Sequence, residues 1–385
     1  MWMQLICCFI FLLFPLMLLA QNDANRDTEI DFLYNYYSQD GDNAAVTGGQ
    51  GTEELTDTGP LIVATIPMRD THTLSVTSGF EIYTSASSDN VDPVVSGASG
   101  QDLRAYVNLG YSIGNDDGTG SYGLLLGGSA EYDYSSVSIG ATWSKGTKDG
   151  NSELSLRGQM FFDNVSIIRP IELRSMFRGE NNSESRRTYA ASATWSQVLN
   201  RRMQAAITAD FVYQTGFLSM PFHRVYFAGE SLPRVEELPD SRVKIPVGIR
   251  LNTYINEYLV TRLFYRFYYD DFGITSNTFN AELPVRFTKS FALMPFVRYH
   301  DQKEADYFVP FEQGDPNAEF YTSDYDLSGF NSLKYGLGLR YYPLEKIATL
   351  AGLNLKKMEL RVALYDRSDG LSAFTTTLGL SFYKR

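Results

Sequence analysis

Residues 102–112 read DLRAYVNLGYS. Leu103, Ala105, Val107, Leu109 and Tyr111 fall on one parity, and Asp102, Arg104, Tyr106, Asn108 and Gly110 on the other. Successive side chains of a strand point to opposite faces, so this stretch is extended with one greasy and one polar face. The apolar set holds no charge. The pattern returns in Leu74, Val76, Phe80 and Ile82, in Met203 to Tyr213, in Val243 to Leu251 and in Leu333 to Tyr341. Similar runs lie near 122–133, 136–145, 152–163, 187–199, 257–269, 275–287, 290–300, 357–366 and 372–383, with less regular ones at 29–37 and 59–68. They make about sixteen strands, each near the roughly ten residues that a tilted strand needs to cross a bilayer. A soluble sandwich also alternates, but its strands are usually shorter. The expected fold is all-β: an antiparallel transmembrane barrel.

The links between these runs give a second test. If the first strand runs outward, even-numbered links are short and periplasmic while odd-numbered ones are free to be long and extracellular. The links at 69–71, 200–201, 252–256 and 288–289 are tight, and those at 38–58, 85–101, 164–186, 216–241 and 301–330 are long, as this orientation requires. Both termini are then periplasmic. Only 343–356 is long on the turn side, and a short helix is expected there. Pro246, Pro284 and Pro295 fall inside strands and remove ladder donors. Tyr132, Trp143, Phe162, Tyr213, Tyr269, Tyr299 and Tyr341 lie near strand ends on the apolar parity, as interfacial girdles would.

The rest of the sequence suits an exported protein. Residues 1–20 carry no charged side chain, are apolar from Leu5 to Leu19 and end in Ala20, so 1–20 reads as a cleaved signal peptide and 21–385 as the barrel. An uncleaved anchor helix is the rival, opposed by its short length and by Pro15. Cys7 and Cys8 fall inside the signal, which leaves the mature chain without thiols. A net charge of -12 with no basic stripe argues against nucleic acid. The 31 glycines, 26 tyrosines and 25 phenylalanines fit many turns and many interfacial rings.

The polar parity of the later strands is basic. Arg242, Lys244, Arg250, Arg262, Arg266, Arg286, Arg298, Lys334, Arg340 and Arg361 fall on it, with Glu282 and Glu359 among few acids. Earlier strands place Glu131, Asp133, Glu153 and Asp210 inward, beside Arg104 and Arg157. Two arrangements fit: a ladder of arginines that lowers the barrier to anions in an aqueous pore, or a network of guanidinium–carboxylate forks. Acids crowd 40–57 and 301–326, where a divalent cation, simple solvation or pairing with arginine would suit them. No catalytic site, metal site or cofactor is expected. The three histidines, His72, His223 and His300, stand apart, no hydrolase or phosphate motif occurs, and His300 with Asp301 is the best pair on offer.

Several stretches resemble a known family. Thr28 to Asp57 (TEIDFLYNYYSQDGDNAAVTGGQGTEELTD), YTSASS at 83–88, PIELR at 170–174, PFHRVYF at 221–227 and LPDSR at 238–242 carry the likeness. YYDDFGITS at 268–276, ADYFVP at 305–310 and YTSDYDLS at 321–328 extend it nearly to the C-terminus. They are similar to the domain-of-unknown-function 3570 family of bacterial outer-membrane proteins. The resemblance implies a barrel with no defined catalytic residues. It also implies a genetic neighbourhood of a flavin-attaching enzyme, a small lipoprotein and thioredoxin-like proteins. Expected partners are therefore outer-membrane lipid, the barrel assembly machinery and, through the resemblance, periplasmic redox proteins or a lipoprotein. A porin-like channel is the first expectation of function, a plugged scaffold for a redox complex the second, and an outer-membrane enzyme the least.

Overall fold

The structure is a computed structural model that describes residues 27–84, 100–176, 183–345, 349–350 and 352–384. The expected signal segment and residues 85–99 lie outside these. Sixteen strands form one antiparallel sheet. They are β1 (Thr28–Asp40), β2 (Leu55–Pro67), β3 (His72–Thr84), β4 (Gln101–Gly114), β5 (Gly120–Ala130), β6 (Tyr134–Gly146), β7 (Ser152–Ser166) and β8 (Ser183–Asn200). Then follow β9 (Met203–Gly216), β10 (Ser241–Asn256), β11 (Leu259–Asp270), β12 (Thr275–Glu282, continued by Val285–Arg286), β13 (Phe291–Gln302), β14 (Phe330–Tyr341), β15 (Leu353–Arg367) and β16 (Ser372–Lys384). Each pairs with its neighbour in sequence, and β1 pairs with β16 from Thr28↔Lys384 to Asp40↔Ser372, which closes the cylinder. A closed sheet leaves no unpaired edge, the condition for a β-structure in lipid.

The alternation places the apolar parity outside. Leu124, Val137, Ile139, Leu337 and Leu364 lie bare on the outer wall. Phe162, Tyr213, Tyr269 and Tyr299 ring it near the long loops, and Tyr111, Tyr122 and Trp143 ring it near the short turns. Burying such a band in acyl chains is what makes the cylinder a transmembrane barrel. The chemistry of the turns is local. In Asn115–Thr119 and Thr147–Asn151, Gly118 and Gly150 take φ of 66° and 69°. Asp117 and Asp149 each accept a backbone N–H two residues on, at 3.0 and 3.2 Å. Asp-Gly is the pair such tight hairpins call for.

The prolines cost only local ladder bonds. Ile245 and Pro246 lack partners on β9, and Leu283–Pro284 splits β12 opposite Met294–Pro295. The expected helix in 343–356 is not what forms. Thr349–Leu350 folds back on Leu353–Asn354 as a small hairpin.

Four long loops close over one end. The loop 41–54, the described part of 167–182, the loop 217–240 and the loop 303–329 form a cap with its own interior of Val225, Phe227, Thr322 and Ser323. The side chains of PIELR and PFHRVYF meet here. Arg224 donates to both oxygens of Glu172, at 2.6 and 3.1 Å, and to the carbonyl of Val46. Ser323 donates to the carbonyl of Arg224 at 2.7 Å. The packing demands a glycine at 48, where φ is 83° and an added Cβ would stand 2.4 Å from the Tyr226 ring. Phe272 and Ile274, in the short β11–β12 link, pack with Leu238 and Ala305 where the cap meets the barrel rim.

Candidate functional site: a cationic lumen beneath a loop cap

The ten cations on the polar parity of the later strands lie on the face opposite that of neighbours such as Ile249, Leu263 and Leu337, which are exposed on the outer wall. They divide into two groups. Arg242, Arg262, Arg340 and Arg361 are paired. Arg242 donates through Nε to Asp270 at 3.0 Å and lies over the Phe272 ring at 4.3 Å. Asp270 is fully buried and also accepts the backbone N–H groups of Phe272 and Ile274, so it ties the β11–β12 link to the wall.

The other three join a chain of alternating charge around the inner wall. Arg262 reaches Glu282 at 2.7 Å, Glu282 takes Arg361 at 2.6 Å, Arg361 reaches Glu359 at 2.6 Å, and Glu359 takes Arg340 at 2.8 Å. Arg361 spans from β15 across β14 and β13 to β12. It can do so because Gly338, its register partner, leaves the inner face flat: a Cβ there would press on Met294 at 2.8 Å and on the Arg361 stem at 3.4 Å. For these four residues, the network arrangement is the one that forms.

Lys244, Arg250, Arg266, Arg286 and Arg298 make no ion pair among the described residues, and neither does Lys334. Arg250 rests over the Phe264 ring at 5.6 Å. Arg266, Arg298 and Lys334 line a cavity of ≈ 730 Å³ inside the barrel mouth, and the Arg266 Nε is buried with no acceptor. Like charges gathered without a counterion raise the local positive potential, and low-dielectric walls focus it.

The cap closes the other side of this cavity. Val46, Phe222, His223, Glu53, Asp324 and Asp326 face it from the loops. Asp326 is held by Arg367 at 2.6 Å. Burial pushes the Glu53 carboxyl up to about 7, with Arg367 opposing. Burial, with Asp326 beside it, raises Asp324 to about 6. The His223 imidazole is raised although burial opposes it, because its Nδ1 stands 3.2 Å from the buried Glu236 carboxylate. Glu236 also accepts the Met220 N–H at 2.7 Å and the Thr322 hydroxyl.

Periodicity does not reach the cap wall. Its residues lie in aperiodic loops, and the only signal was that the resembling stretches fall in them. The His300 and Asp301 pairing does not survive, since His300 faces the cavity and Asp301 takes the outward parity. Nor do the acids of 40–57 or 301–326 form a cation-binding group among the described residues. The carboxylates that do converge are Asp102, Glu131 and Asp133. Tyr83 stands 2.8 Å from Glu131 and 3.2 Å from Asp102, and Arg104 lies 3.4 Å from Glu131, so protein groups already meet their charge. Of the other early-strand residues, Arg157 donates to Gln159 at 2.6 Å and Glu153 accepts from Ser155 at 2.8 Å.

Among solved structures, the chain is similar to a bacterial polysaccharide outer-membrane secretin at 10% identity, with 94% of this chain and 100% of that one covered and a TM-score of 0.47. It is similar to the ferric enterobactin receptor PfeA of Pseudomonas aeruginosa at 12% identity and a TM-score of 0.46, covering 89% of this chain and 54% of the receptor. It is similar to OpdK of Pseudomonas aeruginosa, solved with vanillate, at 10% identity and a TM-score of 0.39, covering 92% and 98%. No curated protein sequence matches the chain. The family described as "Protein of unknown function (DUF3570)" matches residues 16–375, and the chain belongs to that family.

Proposed function

We propose that the protein is a porin-like channel of a Gram-negative outer membrane, with both termini periplasmic and the capped end extracellular. Its lumen admits small solutes that carry an anionic group. The carrying observation is that Arg266, Arg298 and Lys334 face one cavity with no carboxylate paired to them. A structural role would leave them matched, as Arg262, Arg340 and Arg361 are. Unmatched, they lower the barrier to anions and raise it to cations. The protein catalyses no reaction in this reading.

Reversal potentials of the purified protein in planar bilayers under a potassium chloride gradient test it. The parent should prefer chloride, and the triple variant R266Q/R298Q/K334Q should shift toward potassium with its heat-resistant mobility on gels intact. An unchanged preference in a folded triple variant would sink the proposal. The packed interior of the cap favours a second reading, in which the loops seal the barrel and the protein is a scaffold for a periplasmic or surface redox complex. A bilayer that stays silent with correctly folded protein selects that reading.

A further inference from the structure

The cavity under the cap is bipolar. On the barrel side stand the three unpaired cations, and on the cap side stand two acids not held in an ion pair, Glu53 and Asp324. The Glu53 Oε2 is buried and has no donor, while Oε1 meets only the Gln39 amide at 3.4 Å. Asp324 spends one oxygen on the Asp326 N–H at 2.9 Å. The third acid, Asp326, is already occupied by Arg367. Between the two charged sides, Tyr37, Phe222, Phe330 and Tyr365 present rings to the same space. A plain polyanion would satisfy the cations but would meet the acids of the cap. A plain cation would do the reverse.

We propose that this cavity binds small amphoteric molecules, of the class of free amino acids and short peptides with both ends unblocked. The carboxylate would lie against Arg266, Arg298 and Lys334, the ammonium against Glu53 and Asp324, and the apolar body between the rings. The volume of ≈ 730 Å³ is within the range of small-molecule sites, roughly 300–1,000 Å³, and holds a dipeptide. Each end is recognised by groups that otherwise stay unpaired, and a site built to hydrogen-bond a group rejects the analogue that lacks it. The inference takes its sense of cargo recognition from the channel reading, but the binding itself is separable.

The test is calorimetric titration of the full chain in detergent micelles with leucyl-phenylalanine, its N-acetylated form and its C-amidated form. The free dipeptide should bind, and blocking either end should weaken binding tenfold or more. R298Q/K334Q should lose the preference for a free carboxylate, and E53Q/D324N the preference for a free amine. Heat-resistant mobility on gels certifies that each variant is folded, and R298K keeps the carboxylate preference if charge is what matters. Where a double variant does not fold, the two blocked dipeptides on the parent protein decide. Equal binding of the acetylated dipeptide overturns the amphoteric site, and so does the absence of any binding. Conductance without binding sinks this inference and leaves the channel; binding across a silent bilayer does the opposite.

Discussion

Glu282 is the hinge of the charge chain on the inner wall, and Glu282→Gln should unravel it. The carboxylate takes Arg262 at 2.7 Å through one oxygen and Arg361 at 2.6 Å through the other. Its side chain is 10% exposed, against 43% for Arg262 and 30% for Arg361. Removing one partner of a fully buried pair costs about 3–5 kcal/mol. The two arginines are partly solvated and Arg361 keeps Glu359, so the loss here should be smaller. A hydrogen bond to a charged group contributes about 1.5–3 kcal/mol, and Gln retains one acceptor oxygen. The expected destabilisation is therefore about 2–3 kcal/mol. Urea unfolding in micelles, read by loss of the compact gel band, measures it. A cycle with R361Q should return a coupling of about 1–2 kcal/mol, because the second change removes a charge that the first had stranded. An unaltered midpoint in E282Q, or purely additive losses in the cycle, would refute a structural role for the chain.

Three further outcomes are expected. Val107 lies on the outer wall near mid-strand, so Val107→Arg should cost about 2–4 kcal/mol if it sits at the bilayer midplane, and Asn108→Arg, on the lumen side, should cost clearly less in the same assay; equal costs would contradict the register. The fold favours protonated Glu53, since its pKa is raised to about 7 from 4.5. Between those values the unfolded chain binds fewer protons, so cap stability falls as pH rises through that window. Protection factors of cap amides, with the base catalysis of intrinsic exchange divided out, should be lower at pH 8 than at pH 5.5, and the Glu53 share of that fall should vanish in E53Q. Finally, an epitope in the loop 303–329 should be reachable on intact cells and one at 288–289 should not; the opposite pattern would reverse the orientation.

The strand plan was legible because parity is a one-dimensional signal. All sixteen runs found in the sequence overlap strands, and the tight links expected at 69–71, 200–201 and 288–289 fall at turns, whereas 252–256 continues β10 and the turn comes at 257–258. What parity does not encode is height along the barrel and reach across it. It puts ten cations on one parity without telling Arg361, which finds Glu282 three strands away, from Arg298, which finds no acid. Gly338 shows the same gap. Its parity suggests an innocuous lumen position, yet its missing side chain is the lane along which Arg361 lies. The cap was illegible for a different reason. Its contacts join loops far apart in sequence, such as Arg224 and Val46, 178 residues apart, and no period runs through them. The resembling stretches 170–174, 221–227 and 321–328 are scattered in sequence and become neighbours only in space.

The two halves of the inner wall are not alike. From β3 to β9 the inward acids include Glu81, Asp102, Glu131, Asp163 and Asp210, interleaved with Gly127, Ser136, Ser138 and Gly140. From β10 to β15 the inward surplus is basic. A molecule between them therefore stands in a field directed across the axis of the cylinder. Such a field exerts a torque on any dipole and does no work along the direction of travel. On the channel reading, water and polar solutes would be turned sideways as they pass, each with its negative end toward β10–β15. Passage would then depend on a solute's width when so turned, more than on its length.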